Sequence, residues 1–154
     1  MSSHVNFYVK NGKTGTITYL VGYSRSSVIY GLFHETCLNN QTKDGYCDKL
    51  TVADCRELMR AASDKENFKL KGIQDYEKSI KDLATWNNDI EKKMDYYAIW
   101  DKCIKQAQED IKAYEQARIF YSILKEMIEY NPDNVTLLAG IDCYASKEEE
   151  EADL

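Results

Sequence analysis

Residues 90–130 read IEKKMDYYAIWDKCIKQAQEDIKAYEQARIFYSILKEMIEY, and this stretch decides the fold. Ile90, Met94, Tyr97, Ile104, Ala107, Ile111, Tyr114, Ala117, Tyr121, Leu124 and Ile128 recur at helical spacing along it. One apolar stripe held over that length predicts a single helix of roughly 60 Å. Upstream, Ile73, Tyr76, Ile80 and Leu83 carry the same spacing and end near Trp86. Asn87-Asn88-Asp89 then offers a turn and a cap for the long helix. Two such helices joined by a short turn are expected to pack as a long antiparallel, coiled-coil-like hairpin.

The chain on either side follows from the same kind of reading. Thr51-Val-Ala-Asp54 has the form of a capping box and predicts a helix through about Ala62. Ser63-Asp-Lys-Glu66 repeats the signal, which predicts a break there. After residue 130, Asn131-Pro132-Asp133-Asn134 stops the helix, because the residue before proline is pushed out of the α region. Residues 135–144 then have the composition of a strand.

At the other end, Val5, Phe7 and Val9 alternate with polar neighbours, as do Ile17, Tyr19 and Val21. Asn11-Gly12 between them predicts a tight hairpin turn with positive φ angles. A lone hairpin is marginal in water, so 135–144 is expected to join it in a three-stranded sheet. A short helix begins near Ser26, and Asn39–Lys49 reads as a loop. The fold class is therefore α+β: a small antiparallel sheet, short helices and a long helical hairpin. Residues 1–146 are expected to form one domain, and 147–154, with four consecutive glutamates, a disordered acidic tail.

The chain has 154 residues, 44% hydrophobic and 30% charged, which suits a small globular domain. Spanning a bilayer takes about 18 apolar residues in a row, and no run approaches that, so no membrane partner is expected. No secretory leader is read at the start. Five cysteines, an odd number, then point to a reducing compartment such as the cytoplasm. Net charge is −6, made of +2 in residues 1–50 and −8 in residues 51–154. Such a balance repels nucleic acid and favours basic protein surfaces.

Candidate sites are few. His34, Cys37, Cys47 and Cys55 are zinc-ligand types, but they lack the close pairing of structural zinc sites, so neither metal nor cofactor is expected. His34 fits better as a helical side chain stacked on Tyr30. No nucleophile–base–orienter set emerges from the spacing, so the chain reads as non-enzymatic. Ser24, Arg25, Ser26 and Ser27 lie between a strand and a helix N-terminus, where amides, hydroxyls and a guanidinium could hold a small anion or nucleotide signal. Capping accounts for the same serines. Tyr96, Tyr97 and Trp100 concentrate aromatics that cannot all face one partner helix, and Glu109 and Asp110 add charge on the hairpin. These five are the candidate partner-binding residues.

The succession His4-Val-Asn-Phe-Tyr-Val9, Tyr23-Ser-Arg-Ser-Ser27, Leu50-Thr-Val-Ala-Asp54, Asn87-Asn-Asp-Ile-Glu-Lys-Lys93 and Leu137-Leu-Ala-Gly-Ile-Asp142 resembles small acidic proteins encoded by phages and prophages of Gram-positive bacteria. Some of those block host defences, as anti-CRISPR proteins do. The resemblance implies an inhibitor or adaptor that binds a host defence component in the bacterial cytoplasm, and the acidic balance of residues 51–154 directs it toward a basic, nucleic-acid-binding surface of that protein. Anion binding at Ser24–Ser27 and a structural homodimer or larger homo-oligomer through the hairpin stand as the alternatives.

Overall fold

A computed structural model describes residues 3–37, 46–86 and 89–153. The elements are β1 (His4–Asn11), β2 (Ile17–Ser24), α1 (Val28–Thr36), β3 (Asp48–Leu50), α2 (Val52–Asp82), α3 (Ile90–Tyr130), β4 (Val135–Ile141) and α4 (Lys147–Asp153). The fold is α+β, with an antiparallel sheet and a long helical hairpin. The chain divides into two compact units. The first comprises residues 1–61 and 117–154, the second residues 62–116.

In the first unit the sheet has the order β2-β1-β4-β3. The closing strand β4 pairs with β1, Phe7 opposite Ala139 and Val9 opposite Leu137, as the composition of 135–144 predicts. The sheet has four strands rather than three, because Asp48–Leu50 pairs with β4 at the far edge. Its first two residues fall in the segment read as a loop, whose residues 39–45 lie outside the described residues. With one apolar residue among three, β3 carries no periodicity to detect. In the β1–β2 connection the positive φ belongs to Gly15, at 73°, not to Gly12. Gly12 is needed for a different reason. Its amide donates to the Asn134 carbonyl at 2.8 Å, and a Cβ there would stand 2.5 Å from the Asp133 carbonyl oxygen.

One sheet face carries Phe7, which is buried and meets Phe33, Phe120 and Tyr121 edge-on at centroid distances of 6.0, 5.0 and 6.2 Å. Tyr121 is wholly buried, and its hydroxyl donates to the Ile29 carbonyl at 2.7 Å, joining α3 to α1. The other face is covered as well. Tyr8, Cys47 and Ala145 are buried there, with Ile17, Leu138 and Cys143 packed around them. The Tyr8 hydroxyl donates to Glu149 Oε1 at 2.8 Å. The expected disordered tail is therefore corrected over Lys147–Asp153, which form α4. A buried tyrosine hydroxyl needs a partner, and the glutamate run supplies it.

The helix starts follow the local signals. Ser27 caps α1 by accepting from the Ile29 amide at 3.2 Å. Thr51 Oγ1 accepts from the Asp54 amide at 3.1 Å while Asp54 Oδ2 accepts from the Thr51 amide at 2.9 Å, closing the capping box reciprocally. Asp89 caps α3 by accepting from the Lys92 amide at 2.8 Å; Asn87 and Asn88 lie outside the described residues. The expected break at Ser63–Glu66 is absent, and α2 runs unbroken from Val52 to Asp82. Ala62 and Ile73, buried on either side of it, keep the apolar stripe in phase, so nothing favours interruption.

Within the second unit, the two helical stretches lie antiparallel. Lys69 Nζ meets Asp110 Oδ2 at 3.2 Å, and the Tyr76 hydroxyl pairs with the Cys103 thiol. Seven residues forward in α2 are thus seven residues back in α3. Continued to its end, this register puts Asp82 opposite Tyr97.

Candidate functional site

That register has a consequence for the start of α3. Residues Lys93–Tyr96 stand opposite the connection after α2, a 3-10 turn at Leu83–Thr85 followed by Trp86, instead of a full helix. Trp86 packs edge-on against Tyr96 at 5.0 Å and Trp100 at 5.9 Å, while Tyr96 and Trp100 stack on each other at 5.6 Å. The connection therefore covers one side of α3. Its neighbouring side, at positions Ile90, Met94 and Tyr97, is left open.

Ile90 is 69% exposed, Met94 64% and Tyr97 50%. Their spacing places Ile90 and Met94 on the core stripe, and the structure corrects that; Tyr97, on the same stripe, is exposed as a partner-binding candidate would be. The stripe outruns the helix able to cover it. Together with Ile80, Leu83, Ala84 and Ala98 they line a groove of about 640 Å³, in which Lys93 is the one charged lining residue among the described residues. Ile99 and Phe68 are also exposed in this unit, whereas its buried hydrophobics among the described residues are Ala62, Ile73, Leu83 and Ala107. The unit keeps small or few apolar side chains inside and presents large ones outside. Contiguous exposed apolar surface of this kind marks a contact site.

The other candidate residues fall in different places. Tyr96 and Trp100 belong to the aromatic triad beside the groove, and Tyr97 lines the groove itself. Glu109 is exposed. Asp110 is occupied within the hairpin, pairing with Lys69 and accepting from Gln106 Nε2 at 3.1 Å. In the first unit, Ser27 is used as a cap, the Ser24 and Ser26 hydroxyls bond each other at 2.9 Å, and Arg25 is exposed. These contacts explain the serines locally and bring no buried polar group to the segment.

His34 stacks on Tyr30 with an interplanar angle of 10°. Cys37 and Cys55 lie near each other in the core, and burial pushes each thiol up to about 12. Cys47 lies with Cys143 on the opposite sheet face, so the cysteines read as possible zinc ligands are divided between two places.

The negative charge counted over residues 51–154 is not spread along the hairpin. Residues 62–116 hold ten cations and twelve anions, a balance of −2. Residues 133–154 hold seven anions and one cation, so this last segment equals the net charge of the whole chain. A basic surface would be attracted to the end of the chain, not to the hairpin. Sequence reasoning missed Ile80, Leu83, Ala84, Ile90, Lys93 and Met94 as site residues, since periodicity reports an apolar face and not whether that face is covered. Comparison with protein-family models, curated proteins and solved structures returns no match.

Proposed function

We propose that the chain is a non-enzymatic protein-binding inhibitor or adaptor whose contact surface is the apolar groove at Ile80–Tyr97. The observation that carries this reading is the exposure of Ile90, Met94 and Tyr97 on one side of α3 while Trp86 covers its neighbouring side. The occupant is an amphipathic helix of a partner protein. Its apolar face would cover Met94 and Tyr97, and an acidic residue at its edge would meet Lys93, the charged residue of the described lining. Tyr97 and the Trp86–Tyr96–Trp100 cluster supply the large, stiff side chains that dominate interface energetics. The resemblance to phage-encoded anti-defence proteins supports the inhibitor role and a bacterial host protein as the target.

The test is site-specific photocrosslinking in Gram-positive cells, with the probe at Tyr97 or, as control, at Lys112. The reading expects one heterologous adduct from Tyr97, absent from Lys112 and lost when Met94→Asp is added. An adduct with a second copy of the chain would establish the homodimer instead. Equal labelling from both positions would overturn the groove as the contact surface.

A further inference from the structure

Cys47 and Cys143 come together at the end of β4. Asp142, at φ 52°, turns the chain out of that strand, and its amide and carboxylate both bond His4. Left-handed backbone is tolerated by aspartate, and the turn delivers Cys143 back over the sheet. The Cys47 amide donates to the Tyr144 carbonyl at 2.7 Å, and its thiol donates to the Cys143 carbonyl at 3.7 Å. Both sulfurs sit over Gly140. A Cβ on that glycine would stand 3.1 Å from Cys143 Sγ and 3.3 Å from Cys47 Sγ, so the two sulfurs lie no farther apart than those distances combined. The space that the missing side chain leaves is shared by the two thiols.

We propose that Cys47 and Cys143 are a disulfide-forming pair that fastens the C-terminal segment to the sheet under oxidising conditions. The oxidant is a low-molecular-weight disulfide such as oxidised glutathione. Cys143, the more exposed of the two, loses its proton to solvent and attacks one glutathione sulfur, releasing the first glutathione thiolate and leaving a mixed disulfide. Cys47 then loses its proton and attacks the Cys143 sulfur, forming the protein disulfide and expelling the second glutathione. Two thiols are oxidised and one small disulfide is reduced to two thiols. Burial holds the Cys47 thiol up at about 12, with Cys143 and Glu149 adding to the rise, so the second step waits on Cys143. The bond would close the cover over Tyr8, since residues 143–149 carry both Cys143 and the Tyr8 partner Glu149.

The full chain is incubated with oxidised glutathione, alkylated under denaturing conditions and mapped by mass spectrometry. The expected product is a Cys47–Cys143 cross-linked peptide pair, two hydrogens lighter than the reduced peptides, with Tm raised by roughly 10 °C and restored by dithiothreitol. Cys143→Ser should abolish both changes and Cys103→Ser neither, with far-ultraviolet circular dichroism confirming that each variant is folded. A Cys143–glutathione adduct that never resolves, or a Cys37–Cys55 bond as the main product, would overturn the proposal.

Discussion

Replacing Tyr121 by phenylalanine removes one buried hydroxyl and leaves the ring. The side chain is wholly buried, its ring touches Phe7 and Phe120, and its hydroxyl donates to the Ile29 carbonyl at 2.7 Å. A hydrogen bond of this kind contributes about 1–1.5 kcal/mol net. For a chain of this length that is roughly 2–6 °C in Tm. Tyr121→Ala also empties the ring's volume and should cost about 3–5 kcal/mol. Tyr19, 55% exposed, provides the control, and Tyr19→Phe should fall within about 0.5 kcal/mol of the parent. Urea unfolding followed by circular dichroism measures all three. A Tyr121→Phe variant as stable as the parent would refute the claim that this bond ties α3 to α1.

Further outcomes follow from the same contacts. Thr51→Ala should destabilise by about 1 kcal/mol and Asp54→Ala by a comparable amount, with the double variant losing less than both together, because the capping-box bonds are reciprocal. Stability should be level to about pH 9 and fall from there toward 12, measured by denaturant unfolding across pH. Cys37, Cys47 and Cys55 are raised from 9.0 to about 12, chiefly by burial, so the unfolded chain gives up these protons first and is favoured as pH rises. Replacing the three by alanine should flatten that limb, and an unchanged slope would contradict the assignment. Removing residues 147–154 uncovers Tyr8, whose phenol is pushed well above its usual range by burial and then by Glu149. Its ultraviolet titration should move back toward pH 10, and an unmoved titration would mean that α4 does not cover it.

What could be read from the sequence was local in origin. The Thr51–Asp54 box and the stop at Pro132 each depend on residues within a few positions and are found where their spacing places them, and the helix read as beginning near Ser26 is capped by Ser27. The Ser63–Glu66 signal is equally local, yet the buried Ala62 and Ile73 override it, since tertiary packing outweighs a weak propensity. The sheet's second face was not legible, because Tyr8 and Glu149 meet across most of the chain's length. The groove was half legible. Tyr96, Tyr97 and Trp100 announce themselves by composition, but the exposure of Ile90 and Met94 depends on the register set by Lys69–Asp110 and on where α2 ends.

The most direct test of the groove as the docking surface is calorimetric titration of the crosslinked partner against the parent chain and Met94→Asp at two ionic strengths. We expect Met94→Asp to weaken binding about 30-fold or more, as loss of a central apolar contact does. The parent affinity should change only slightly with salt, since the hairpin unit carries a charge of −2. Unaltered binding by Met94→Asp, with an affinity that collapses at high salt, would place the contact on the acidic C-terminal end and contradict the account.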